Sequence, residues 1–408
     1  MRLKDIANIN PAYTGPDLGD QLVSFSPMEC LRYDSLKPIT ISFSEAKGKY
    51  TFFKDNDILF AKVTPCFENQ NIAIANNLVN GIGFGSSEIN VLRLKSDASL
   101  RYMFYVICSN RFYNTGCSSM CGVGGLKRIN PRAVSTFEFT MPSLAEQEAI
   151  AAYLDKECEK IGRKIELLER KADAYSRLRR SLINRAVTRG LDPNVSLKPS
   201  GNNWIGDIPQ HWGYERVEKY FHNNTSYNKD FQYKHAFKFF KGTIIHKDET
   251  FEEDEYQDTY EKYTIVEPND IIINGLNLNY DLKSMRVGKV TENGIITSAY
   301  IVLRPYNNVC SDFFNYLFKA FDYRKFFHGM GKGIRLTLSF NELRYFEIPI
   351  PPIDEQKKIA AYLDEKCAKI DAILEKINTE VELLKELKRS LINEVVTGQR
   401  AIDTESHS

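Results

Sequence analysis

The chain has 408 residues, with 54 Lys and Arg against 53 Asp and Glu, so its formal net charge is +1 at pH 7. This balance excludes a uniform basic field for nucleic acid, though a local basic cluster fits inside it. With 43% hydrophobic and 12% aromatic residues, the length predicts two or more domains with packed cores.

Residues 1–141 mix short β-branched runs with one or two helical stretches, which predicts a first α+β domain. Its landmarks are Asn56-Asp57-Ile58 before an apolar run, Ser87 to Arg93 (SEINVLR), the aromatic stretch Tyr102 to Ile107, the loop Gly122–Arg128 (GVGGLKR) and Phe137-Glu138. Residues 142–190 change character. Apolar residues fall at Ile150, Leu154, Cys158, Ile161, Ile165, Leu168, Ala172, Tyr175, Leu178 and Leu182. Steps alternating between three and four describe one stripe of a helix. Ser143 with Glu146 fits a capping box, and Gly190 fits a C-terminal stop. A linker rich in Gly, Asn and Pro (191–203) leads into a second α+β domain, residues 204–350. The landmarks return there in the same order: Asn269-Asp270-Ile271, Ser298 to Arg304 (SAYIVLR), Phe313 to Phe318, Gly329–Arg335 (GMGKGIR) and Phe346-Glu347. Residues 351–398 carry a second stripe: Ile359, Leu363, Cys367, Ile370, Leu374, Ile377, Val381, Leu384, Leu387 and Leu391. Gly398 closes it, and 399–408 form a tail.

Pro142 to Thr188 and Pro351 to Thr397 align without a gap, 209 residues apart, with 21 identities in 47 positions. Self-similarity at a fixed period makes the chain two copies of one unit, variable part first and repeated part second. Each helix would hold about 45 residues and measure roughly 68 Å at 1.5 Å per residue. That is too long to bury its stripe on its own domain, so the partner expected is the other copy. Copy one carries 10 basic and 8 acidic residues and copy two 8 and 10, a slight preference for pairing unlike copies. If the helices run antiparallel, the domain between them bridges the end of one and the start of the other, and one globular domain hangs at each end of a rod. The expected fold is therefore α+β. Two similar domains are joined by two long helices forming an antiparallel coiled coil, with a pseudo-twofold internal repeat.

Catalytic sets are weak. Gly81 to Gly85 (GIGFG) imitates a cofactor loop, and Asn10 to Tyr13 (NPAY) imitates a methyltransferase motif without its second proline. Asp17 with Glu45 and Lys47 fits only a loose nuclease pattern. The eight cysteines lack paired zinc spacing, Cys117 and Cys121 included, so free thiols are expected. The start MRLKDIANIN has no apolar signal core, and no 18-residue apolar run occurs, so a cytoplasmic, soluble protein is expected. The DNA-binding candidates are the Gly/basic loops, Lys127 and Arg128 with Lys332 and Arg335, read as equivalent places in the two halves. Glycine lets backbone approach phosphate, and Arg pairs bidentately with guanine. Asn69, Asn274 and Asn277 suit adenine edges but also turns; Lys62 and Thr64 complete the set. The acidic run Asp248–Glu261 reads as a solvated loop that DNA would repel. Ile150, Leu154, Ile161, Leu168, Leu178 and Leu182 of the first helix, with Ile359, Leu363, Ile370, Ile377, Leu384 and Leu391 of the second, are the expected helix-pair and partner interface.

These features together resemble the specificity subunit of type I restriction–modification systems. The resemblance is carried by LAEQEAIAAYLD (144–155) and IDEQKKIAAYLD (353–364), by RSLINRAVTRG (180–190) and RSLINEVVTGQ (389–399), by NDILFAKVTPCFEN (56–69) and by WIGDIPQHW (204–212). It spans essentially the whole chain in the family's domain order. It implies a non-catalytic subunit with two target recognition domains, each reading one half of a split double-stranded DNA sequence, and a coiled coil that fixes the gap. It further implies two methyltransferase (modification) subunits on the conserved helical regions and, through them, restriction/translocase subunits. S-adenosylmethionine, ATP and Mg²⁺ would sit on those partners and none on this chain. The first half departs from the pattern by lacking the WIGDIPQHW-type lead. Two rival readings remain: a self-sufficient DNA methyltransferase or nuclease, and a coiled-coil scaffold with two protein-binding domains.

Overall fold

A computed structural model of the chain describes residues 1–95, 98–123, 125–229, 231–240, 242–247, 257–280, 285–306 and 308–402. Most of the acidic run expected as a solvated loop lies outside them. Contacts divide the chain into two compact units: Met1–Glu169 with the residues from Asn378 onward, and Arg170–Ile377. Each unit takes half of either long helix.

The first unit is built on an antiparallel sheet of Ala7–Ile9, Ile89–Leu94, Ile58–Ala61 and Ile72–Ile74, in that spatial order. Ile58–Ala61 is buried along its length, as a continuous apolar run predicts for a central strand. The second unit repeats the sheet as Phe221–Asn223, Ile301–Pro305, Ile271–Ile273 and Val287–Lys289. The outer strands also correspond. Leu22–Ser26 lies between Ile39–Ser42, antiparallel, and Ile82–Gly85, parallel. In the second unit Phe237–Phe240 pairs with Thr243–His246, while Ala236 bridges Ile295 in parallel.

The shared Asn-Asp-Ile landmark has a structural cause. Asn56 and Asn269 adopt positive φ of 67° and 80°, which asparagine tolerates in a turn. Asp57 then turns inward, fully buried. It accepts from Arg93 Nε at 2.9 Å, from Arg93 Nη2 at 2.7 Å and from the Lys54 amide at 2.8 Å. Asp270 repeats this with Arg304 at 3.0 and 2.8 Å and the Glu267 amide at 2.9 Å. In each unit one carboxylate ties a turn to the neighbouring strand, and the arginine that ends each "VLR" is its partner.

The long helices run Leu144–Arg189 and Ile353–Val396. Ser143 caps the first: its amide donates to Glu146 Oε2 at 2.9 Å, and its Oγ accepts from the Glu146 amide at 3.4 Å. Gly190 and Gly398 follow the two helices with φ of +71° and +74°, left-handed terminators open to glycine. Within the first unit, Leu154 and Cys158 share a core with Leu391, Ile392, Val395 and Val396, and Lys164 meets Glu380 at 2.8 Å. Within the second, Ile183, Ala186 and Val187 share a core with Ile359, Leu363 and Cys367, and Arg179 meets Asp371 at 3.1 Å. Rising numbers on one helix meet falling numbers on the other, so the pair is antiparallel in both units.

The repeated motif holds each helix to its domain. The Gln147 side chain accepts from the Ser99 amide and donates to Pro142 O, both at 2.9 Å, and Asp155 accepts from Tyr105 Oη at 2.6 Å. Gln356 accepts from the Cys310 amide at 2.9 Å and donates to Pro351 O at 2.8 Å, while Asp364 accepts from Tyr316 Oη at 2.7 Å. Ser99 and Cys310 each cap a domain helix, Leu100–Cys108 and Ser311–Tyr323. The glutamine therefore binds an end amide that an α-helix leaves without an internal partner. Tyr105 and Tyr316 are held well above the usual phenol range, first by burial and then by their Asp partners.

Two expectations for the stripe are corrected. Leu178 is 46% exposed, and so is its counterpart Leu387, at 52%. Burial passes instead to Ile183, Ala186 and Val187, and in the second helix to Ile392, Val395 and Val396 beside the expected Leu391. A 3.6-residue helix drifts from a strict heptad, and the domain that covers each helix end selects the drifted face. Leu154, Ile359, Leu363, Ile370, Ile377 and Leu391 are buried as expected; Ile150, Ile161, Leu168, Leu182 and Leu384 are half-buried. The WIGDIPQHW segment packs Ile205, Ile208 and Trp212 into the second core, while Gly213–Arg216 pairs with Glu347–Ile350. The first unit closes the matching edge with Met1 and Leu3, whose nitrogens donate to Phe139 O at 3.0 Å and Phe137 O at 2.9 Å.

Candidate nucleic-acid interface

In each unit the segment after the central strand pairs with one arm of a glycine-bearing hairpin. In the first unit the Thr64 amide donates to Lys127 O and the Ile129 amide to Lys62 O, both at 2.9 Å. The hairpin is pinched where Cys121 and Arg128 exchange amide hydrogen bonds of 3.0 and 2.9 Å. In the second unit the Leu278 amide donates to Leu336 O at 3.0 Å and the Leu338 amide to Gly275 O at 2.9 Å. Lys332 and Thr337 make the reciprocal pinch at 3.0 and 2.9 Å.

Most of the DNA-binding candidates converge here. Lys62, Thr64, Lys127 and Arg128 stand at one hairpin; Asn274, Asn277, Lys332 and Arg335 stand at the other. Asn69 does not join them. It is exposed in a cleft beside Lys385, Lys388 and Arg389 of the second long helix. Thr64 braces the hairpin, donating from Oγ1 to Gly125 O at 2.6 Å and accepting from the Lys127 amide at 3.0 Å. Asn274 Oδ1 accepts from the Leu276 amide at 3.1 Å, and Asn277 occupies a positive-φ turn at 50°. Both asparagines shape the turn beneath the hairpin.

The hairpins are equivalent, but their cations are not. Stem Cys121 matches stem Lys332, and stem Arg128 matches stem Thr337, with six residues between stems in one unit and four in the other. Lys332 is thus a stem residue where the first unit has cysteine, and Arg335 lies inside a turn that the first unit closes with Lys127 and Arg128. Electrostatic surroundings differ as well. Arg128 forks onto Glu88 with bonds of 2.9 and 2.8 Å, which holds the Glu88 carboxyl below the usual range. Lys332 reaches Glu342 at 3.2 Å, and Glu342, pulled down to about 2 by its bond from Ser339, also caps a short helical turn. The Lys127 and Arg335 side chains have no partner among the described residues.

The patterns that imitate catalysis resolve into structure. Asn10 Oδ1 accepts from the Val91 amide at 2.8 Å, and its Nδ2 donates to Asn90 at 3.1 Å. A Cβ on Gly83 would strike the Phe53 ring at 2.3 Å, which explains the glycine without a cofactor. Lys47 and Asp17 form an exposed ion pair at 2.9 Å. Two exposed aliphatic residues of these turns, Val123 and Ile334, 89% and 98% exposed, stand out only in the structure. Their one signal was the glycine before each.

A family profile described as "Type I restriction modification DNA specificity domain" matches residues 1–171 and 206–383. Two Escherichia coli proteins are similar. The type I restriction enzyme EcoEI specificity subunit is 36% identical over 160 residues, covering 38% of this chain and 27% of that protein. The EcoAI specificity subunit is 38% identical over 152 residues, covering 36% and 26%. The matched region is thus about a quarter of each relative's length. A solved structure titled for complex assembly and conformational transition of the type I R-M system superposes with a TM-score of 0.73 at 15% identity, over 98% of this chain and 97% of that one. The HsdS subunit from Thermoanaerobacter tengcongensis superposes at 0.50, also at 15% identity, over 98% and 96%. At that identity these likenesses speak for the fold alone.

Proposed function

Because the chain belongs to the type I restriction modification DNA specificity family, we propose that it is the DNA-reading subunit of a type I restriction–modification enzyme. Each unit reads one half of a bipartite target, and the helix pair sets the gap between halves. The observation that carries this reading is one scaffold presented twice with different hairpins. Sheets, buried Asp–Arg ties and helix latches repeat, while the hairpins differ in length and cation placement. That is the division expected when phosphate and framework contacts position a protein and separate loops specify bases.

In this reading the chain has no reaction of its own. Two methyltransferase subunits dock on it and bring restriction/translocase subunits with them; those partners carry S-adenosylmethionine, ATP and Mg²⁺. Supporting like partners at two places, Leu178 and Leu387 stand exposed at corresponding positions of the repeat. The purified chain is the test. It should bind duplex DNA with an affinity that falls steeply with salt, and replacing Lys127 and Arg335 by alanine should make that fall shallower. Methyl transfer from labelled S-adenosylmethionine by the chain alone would overturn the non-catalytic assignment.

A further inference from the structure

We infer that Val123 and Ile334 are base-contacting residues: the exposed aliphatic side chain in each hairpin turn meets apolar base surface in a DNA groove, while neighbouring cations stay on phosphate. The inference rests on the DNA-reading function proposed above. Val123 is 89% and Ile334 98% exposed. A single exposed aliphatic residue is ordinary on a protein surface. These two, however, occupy the same place in hairpins whose charges have moved. Each is the second residue past its stem, Cys121 or Lys332, and each follows a glycine with positive φ, 145° at Gly122 and 78° at Gly333.

The presentation is built in. A Cβ on Gly122 would lie 2.4 Å from Leu126 O, so only glycine permits that turn, and Thr64 braces the same hairpin through Gly125 and Lys127. An aliphatic side chain offers nothing to a phosphate. On a duplex its favourable counterpart is the thymine 5-methyl group or the face of a base pair at an opened step. Both are apolar base surface. The cations nearby, Lys127 in one hairpin and Arg335 in the other, suit the flanking phosphates.

The test is selection from randomised duplexes with the full chain, comparing the parent with Ile334→Ser, Ile334→Val and Val123→Ser. Both serine changes lie at exposed positions and leave the cores untouched. Ile334→Ser should relax preference in one half-site by roughly tenfold or more, as a lost base contact does, and spare the other half. Val123→Ser should do the reverse, and Ile334→Val should retain the preference. The dependence on salt should not change, because no phosphate contact is lost. On the selected duplex, uracil in place of thymine reproduces the loss if the methyl group is the contact. A rise in 2-aminopurine fluorescence on binding marks an opened step instead. Unaltered preferences in the serine variants overturn the inference. So does a uniform loss on all sequences with a shallower salt dependence, or a loss confined to retention of a protein partner. If the parent selects no DNA, the DNA-reading proposal itself fails, a separate and recognisable result.

Discussion

Replacing Gln147 by alanine would remove the latch between the first long helix and its domain helix. Gln147 is buried, and its two bonds satisfy the Ser99 amide and the Pro142 carbonyl. Orphaning each group costs about 1 to 2 kcal/mol at half-buried positions, so the change should cost about 2 to 4 kcal/mol. For a unit of this size that lowers the melting temperature by about 5–15 °C. Gln147→Glu keeps an acceptor for Ser99 but sets a second oxygen against the Pro142 carbonyl, so it should not restore stability. Gln356→Ala should cost a similar amount through Cys310 and Pro351. Calorimetry gives the size of the effect. Amide hydrogen exchange gives its place: Ser99 should lose protection in one variant and Cys310 in the other. A loss below about 0.5 kcal/mol, within the range of ordinary surface changes, with Ser99 still protected, would refute the latch.

Asp57→Ala should destabilise its unit by about 3 to 5 kcal/mol, since it leaves Arg93 without its buried carboxylate, and Asp270→Ala should cost less, because Glu267 stays 3.2 Å from Arg304; urea unfolding of both variants checks this. Burial first, and Arg179 second, press the Lys319 ammonium down to about 8. Because the folded value lies below the unfolded one, stability should rise as pH passes from about 8 to the ordinary lysine range. Lys319→Met should therefore gain up to about 3 kcal/mol at neutral pH and lose that advantage in alkali, as thermal melts across pH would show. Glu342 titrates at about 2, chiefly through its bond from Ser339. Its contribution is complete above the ordinary carboxylate range and fades as pH falls toward 2. A carboxyl NMR titration should place its midpoint there, and a midpoint near 4.5 would contradict the capping geometry.

The sequence carried the repeat and the antiparallel helix pair, because helical periodicity is local and 21 identities at one offset need no coordinates. It showed that Asn-Asp-Ile and the later "VLR" recur, but not why. Asp57 meets Arg93 through strand register, which no local pattern records. The stripe fails at Leu178 and Leu387, where helix drift leaves both leucines exposed. The hairpins were visible as Gly/basic loops. Aligning them by Arg128 and Arg335 misplaced the cations, since the closing amide pairs set loop length. Asn69 lies in the cleft beside the second long helix because residues 63–71 coil through local bonds, the Phe67 amide to Val63 O and the Asn69 amide to Pro65 O, both at 2.9 Å, with Phe67 anchored in the core.

In the function proposed, two equivalent units each read half of one split target. This is tested most directly by the methylation pattern of DNA from cells carrying this chain with the methyltransferase subunits proposed for it, before and after residues 1–141 are exchanged for the same segment of a diverged family member. Two separated half-sites are predicted, with the exchange rewriting one of them and leaving the other half and the gap intact. An unbroken motif, or an exchange that alters both halves, would contradict it.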